Sequence, residues 1–216
     1  MNGSNTIGFL FDLDGVLIDS EPEYTRIWSE IEMCFPTGID NFAIKIKGQT
    51  LPEILNSNFA RHLHDDIIDM LNEKEQQMHY DWLPGARETL DKLREMAFVA
   101  VLVTSSNDMK MRHLREDRPE LEDFFTDIVT ADRISRSKPD PEGYLLGAEI
   151  LNVPAARCAV FEDSRQGVKA GKASGAYVVG LTTTLKREDI ESQCDRIIEN
   201  LTKIDIEELA EILYKR

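Results

Sequence analysis

The stretch Gly8-Phe9-Leu10-Phe11-Asp12-Leu13-Asp14-Gly15-Val16-Leu17-Ile18-Asp19-Ser20 decides the fold of this chain. With Ile7 before it, the run through Phe11 is almost continuously apolar, as expected of a strand buried on both faces of a parallel sheet. It ends abruptly in charge. Asp12 and Asp14 flank a single leucine, and Gly15 then lets the backbone turn where a side chain would obstruct it. Two carboxylates thus stand at the carboxyl end of a strand, the place where open α/β sheets bind ligands.

Outward from that strand, Ser20-Glu21-Pro22-Glu23 has the form of a capping box with proline in the first turn, so a helix is expected to start there and run toward Phe35. From Leu51 to Trp82 the periodicity stays helical: Ile54, Leu55, Phe59, Leu63, Ile67, Ile68 and Leu71 recur at three- and four-residue steps, with no strand pattern. Beyond Leu83-Pro84-Gly85 the rhythm changes. Apolar runs at Val99–Val103, Ile128–Val129, Ala159–Phe161, Tyr177–Leu181 and Arg196–Ile198 alternate with helical segments, and a closing helix carries Ile206, Leu209, Ile212 and Leu213 on one face. The expectation is an α/β protein: a Rossmann-like parallel sheet with helices on both faces, built from residues 1–18 and 83–216, with a small helical cap inserted at 19–82.

Composition narrows the partners. Lys and Arg number 25 against 40 Asp and Glu, giving a net charge of −15 that repels nucleic-acid backbones and anionic membranes alike. An acidic protein that acts on an anion needs local positive charge, from lysine, arginine or a metal ion. Cys34, Cys158 and Cys194 are widely spaced and suit a reducing compartment, and Met1–Thr6 lacks the layout of a signal peptide, so a cytoplasmic protein is expected, a monomer or small homo-oligomer. His62 and His64, two apart on a helix, face different ways and make a poor metal pair. Asp12, Asp14 and Glu23 have the spacing of the first, third and last ligands of a calcium loop, but Leu17 replaces its turn glycine.

Three further polar clusters follow apolar runs or sit in loops. Thr104-Ser105-Ser106-Asn107 offers hydroxyls and turn N–H groups that can hold phosphate oxygens, or equally the N-cap of the next helix. In Ser137-Lys138-Pro139-Asp140-Pro141 the prolines restrict the backbone around Lys138, which could neutralise a phosphoryl group or simply be solvated. Glu162 and Asp163 are adjacent carboxylates whose repulsion a bound Mg²⁺ would relieve; the alternative is an acidic helix amino terminus, favoured by the dipole.

In this order, Asp-x-Asp-Gly, then Thr, then Lys-Pro, then Glu-Asp, the clusters resemble the haloacid dehalogenase superfamily, from Phe9 to about Leu181. Phe11–Leu17 with Asp19-Ser20-Glu21-Pro22 is similar to the branch with a helical cap after the first motif, which includes β-phosphoglucomutase and many sugar-phosphate phosphatases. The resemblance implies that Asp12 attacks phosphorus and that Asp14 serves as general acid and base. It implies Mg²⁺ held by Asp12, the Asp14 carbonyl and Asp163 with Glu162 nearby, and phosphoryl oxygens held by Thr104, Ser105, Ser106 and Lys138. Asp14 itself favours phosphate esters, since dehalogenases and phosphonate-cleaving relatives do not keep it. The mutase has a cap histidine where this chain has Tyr24, and a cap arginine where it has Leu51, so a Mg²⁺-dependent phosphatase of small phosphate esters is expected ahead of a phosphohexomutase or a silent binding module. Tyr24, Lys47 and Gln49 are the cap residues expected to meet the substrate.

Overall fold

A computed structural model describes residues 6–46, 49 and 51–216. It divides into two compact units, Met1–Asp19 with Asp81–Arg216, and Ser20–Tyr80.

The first unit holds a six-stranded, all-parallel sheet in the order β5-β4-β1-β6-β7-β8. Its strands are β1 (Gly8–Phe11), β4 (Val99–Val103), β5 (Asp127–Val129), β6 (Cys158–Glu162), β7 (Tyr177–Leu181) and β8 (Arg196–Ile198). Because β4 and β5 step outward on one side of β1 while β6, β7 and β8 step outward on the other, the strand order reverses at β1. A crevice beyond the strand ends opens at such a reversal.

The alternation of a strand divides β1 between two apolar layers. Leu10 packs with Val101, Val103, Val160, Tyr144 and Ala148, under α7 (Glu142–Ile150) and α8 (Arg165–Ser174). Phe9 and Phe11 point the other way, where Phe11 stacks on Phe161 at 4.4 Å between ring centres and Phe9 meets Phe98 at 5.3 Å. Helix α5 (Ala86–Glu95), backed by α10 (Ile206–Tyr214), packs against β4. The remaining helices of this unit are α6 (Asp108–Asp117) and the short α9 (Arg187–Ile190).

The second unit is helical: α1 (Glu21–Cys34), α2 (Phe42–Lys45), α3 (Leu51–Asn58) and α4 (His64–Glu75). Ile27, Ile31, Phe42 and Ile67 are wholly buried, and Phe42 lies edge-on between Trp28 and Phe59.

Two local expectations need correction. Asp81–Trp82 is strand β3, paired antiparallel with β2 (Ile18–Asp19), and not the end of a helical stretch; a two-residue strand is too short to print a periodicity. Ser20 makes no side-chain cap hydrogen bond, because its backbone (φ −87°, ψ −11°) is already helical, whereas an N-cap needs an extended residue.

Candidate active site

The end of β1 is fixed by its neighbours. Phe11 pairs with Leu102 of β4 and Phe161 of β6, and the Asp12 N–H donates to the Phe161 carbonyl at 3.0 Å. Asp12, 8% exposed, is thereby held between the ends of the two central neighbours. Lys138 comes to it from the loop before α7. Its ammonium donates to Asp12 Oδ1 at 2.6 Å, Glu162 Oε1 at 2.7 Å and the Val103 carbonyl at 3.1 Å, and lies 5.1 Å from the centre of the Tyr144 ring.

Glu162 departs from its expected place. It is the last residue of β6, not the first beyond it, and is fully buried. Its Oε1 accepts from Lys138 and from the Tyr144 hydroxyl (2.7 Å). Its Oε2 accepts from the N–H groups of Asp163 and Ser164, at 3.1 and 3.2 Å, and from the Ser164 hydroxyl at 3.0 Å. A carboxylate has about four lone-pair sites, so these donors saturate it. Glu162 thereby anchors Lys138 and the loop after β6.

Carboxylate oxygens of Asp12, Glu162 and Asp163 lie within 4.8 Å of one another. Burial, opposed by Lys138 and reinforced by Glu162, pushes the Asp12 carboxyl up to about 7. Asp163 is raised well above its ordinary value by burial and then by Glu162 and Asp12. Burial alone would lower Lys138; Asp12 and Glu162 outweigh it and raise its pKa. Among the described residues, four carboxylates, on Asp12, Asp14, Glu162 and Asp163, gather with the ammonium groups of Lys138 and Lys110, so acids outnumber cations there. That excess of acid and an all-oxygen donor set fit a hard divalent cation, for which Asp12, Glu162 and Asp163 are the grouped carboxylates. Gly15 is fitted to the same spot: at φ +75°, a Cβ there would stand 2.0 Å from Asp163 Oδ2.

Around Asp14 the loop after β4 closes in. The Thr104 hydroxyl accepts from the Ser106 N–H at 3.0 Å, and the Ser106 hydroxyl donates to Asp14 Oδ2 at 3.2 Å. Thr104 and Ser106 are buried, while Ser105 is exposed at the turn. Asn107 is the N-cap of α6, accepting from the Lys110 N–H, as the cap reading of this cluster expects. Sequence reasoning missed Lys110. Its ammonium donates to both oxygens of Asp14, at 2.7 and 2.8 Å, and the residue is 7% exposed. The available signal was its position: a lysine in the first turn of a helix opposes the dipole and needs a reason.

The expected cap residues lie in the helical unit. Tyr24 and Gln49 line a cavity of about 270 Å³ together with Glu21, Trp28 and Glu75, and the Tyr24 hydroxyl donates to Glu75 Oε1 at 2.9 Å. Lys47 is outside the described residues.

A parallel sheet with reversed strand order and paired acids at the end of its central strand defines an α/β enzyme with a polar site at the strand ends. Residues 8–175 match the family model of the haloacid dehalogenase-like hydrolases, and the chain belongs to that family. Hexitol phosphatase A of Escherichia coli K12 is 31% identical over 206 residues, covering 92% of this chain and 93% of its own. A phosphorylated carbohydrates phosphatase of Thermotoga maritima is 31% identical over 180 residues, covering 77% and 80%. Among solved structures, a family IA, variant 3 hydrolase from Entamoeba histolytica superposes with TM-score 0.80 at 23% identity, over 98% of this chain and 100% of that one. β-Phosphoglucomutase from Clostridium difficile gives 0.77 at 21% identity, over 97% of both.

Proposed function

We propose that this hydrolase is a Mg²⁺-dependent phosphatase of small phosphomonoesters, sugar phosphates foremost, working through an aspartyl-phosphate. The observation that carries the reading is the Asp12 carboxylate, held at the end of β1 by Lys138 and beside Asp163, where a nucleophile and an ion can meet one phosphoryl group. The phosphatases among its relatives, acting by name on hexitol phosphate and phosphorylated carbohydrates, support the substrate class.

In this reading Asp12 attacks phosphorus while Lys138 keeps its carboxylate aimed and ionised. Asp14 gives a proton to the departing oxygen and later takes one from the attacking water. The hydroxyls of Thr104 and Ser106 and the turn at Ser105 bind the remaining phosphoryl oxygens, and Glu162 holds Lys138 in register. Asp12, Asp163 and the Asp14 carbonyl would hold Mg²⁺, which when bound would supply charge neutralisation for the phosphoryl group. The helical unit acts as a cap that selects the leaving group, with Tyr24, Gln49 and Lys47 as its contacts.

A panel of hexose, hexitol and glycerol phosphates, with inorganic phosphate and isomeric sugar phosphates measured together, tests the reading. Phosphate release that needs Mg²⁺, stops with chelator and is lost in Asp12→Asn is the expected result. Accumulation of a rearranged sugar phosphate without free phosphate would establish the mutase instead, and full activity of Asp12→Asn would overturn the mechanism.

A further inference from the structure

We propose that Lys110 is a positioning residue for proton transfer by Asp14, a role that rests on the reading of Asp14 as the acid and base. Lys110 sits where three ordinary costs meet. It is nearly buried, it is a cation in the first turn of α6, and its long side chain is held in one geometry. Against these stands the Asp14 carboxylate, gripped through both oxygens from a residue 96 positions away in the chain. The Ser106 hydroxyl adds a third contact to Oδ2, and the Asn107 cap fixes the backbone from which Lys110 reaches.

The partner is not a buried structural acid. The Asp14 side chain is 33% exposed while that of Lys110 is 7%, so the pair presents a carboxylate at the mouth of the site and keeps its cation behind it. Two donors from one ammonium restrain both dihedrals of the short Asp14 side chain, and a general acid or base works only within a narrow geometry. The backbone on which Asp14 sits is held too: the Gly15 N–H donates to the Ile18 carbonyl and the Leu17 N–H to the Leu13 carbonyl, both at 2.9 Å.

The bond changes show where this matters. As a carboxylate oxygen of Asp12 bonds to phosphorus, the bond from phosphorus to the leaving oxygen breaks, and that oxygen takes the Asp14 proton with its released electron pair. The products are an alcohol, the aspartyl-phosphate and an Asp14 carboxylate. Lys110 faces that carboxylate directly, so its charge meets the charge that forms on Asp14 as the proton departs. A leaving group that departs as a stable anion needs no such proton.

The test compares kcat/KM, which reports steps up to leaving-group departure, for glycerol phosphate and p-nitrophenyl phosphate with the same Lys110→Met preparation. The ratio of the two is independent of how much of the variant is folded. The expected result is a loss at least about tenfold larger for the alkyl ester than for the aryl ester, largely restored in Lys110→Arg, whose guanidinium can again grip both oxygens. Equal losses for both esters, or no loss for either, would overturn the role of Lys110 while leaving the phosphatase reading intact. If the unaltered protein releases phosphate from neither ester, the phosphatase reading fails first and this inference falls with it.

Discussion

Glu162 touches no solvent, yet it governs how the reactive end of β1 is presented. Its five donors come from Lys138, Tyr144, the Asp163 backbone and both groups of Ser164, so a displacement of this one carboxylate frees the lysine that holds Asp12. Gly167 on α8 is what gives it room. A Cβ at that position would lie 1.7 Å from Glu162 Oε1 and 1.8 Å from its Cδ, and the carboxylate is fully buried and hydrogen-bonded in place. Gly167→Ala therefore expels a buried, fully hydrogen-bonded charge, a change that costs about 3 kcal/mol or more. The expected outcome is a clear fall in melting temperature together with loss of most phosphatase turnover. A variant with native stability and native kcat would show that Glu162 does not position the site. The sequence does not reveal this dependence, because Gly167 reads there only as one of several small residues in a helix that must lie close to the sheet.

At the scale of elements, the parallel strands were legible because burial on both faces makes them apolar runs, and their polar ends stood out by contrast. Asp12, Thr104 and Lys138 were found that way, Lys138 only through its company. What stayed hidden is pairing over distance. The Lys138–Asp12 bond spans 126 positions and the Lys110–Asp14 bond 96, and no local pattern encodes either. Glu162 was read as lying past the strand because charge normally ends one; here the tertiary donors override that rule. Ser164 joins two elements through a single hydroxyl. It accepts from the Gly167 N–H as N-cap of α8 and donates to Glu162 Oε2, so it both starts the helix and braces the site. Ser164→Ala should cost about 1–2 kcal/mol and lower kcat as well. Asn107→Ala, which removes the N-cap of α6, is the comparison: a similar loss of stability in both variants with turnover reduced only in Ser164→Ala would be a direct sign of the brace, and unchanged kcat in Ser164→Ala would refute it.

For the whole molecule, the question is how a chain of net charge −15 tolerates a buried knot of acids at the end of its central strand. Asp127 is held low by the Arg133 hydrogen bond against its burial, so its contribution is present above the ordinary value of 3.8 and is lost only as pH falls through the depressed folded value. Asp12 and Asp163 behave oppositely. Asp12 lies at about 7 when folded against 3.8 ordinarily, and Asp163 is raised as well, so the folded state binds more protons than the unfolded one between these values. The metal-free protein should accordingly lose stability as pH rises from about 4 to about 7, the reverse of the effect of Asp127. A divalent cation removes that penalty where the acids are ionised and has protons to displace where they are not. At a Mg²⁺ concentration about ten times its dissociation constant, mass action adds about 1.4 kcal/mol, or about 3–6 °C in melting temperature for a chain of this size. The rise should be present at pH 7.5 and much smaller at pH 5, should vanish in Asp163→Asn, and should not be reproduced by a monovalent salt of equal ionic strength, which screens the surface charge alone. An equal rise at both pH values, or one that survives in Asp163→Asn, would place the ion outside the acid cluster and leave the surplus charge at the end of β1 to be balanced by substrate-independent protonation.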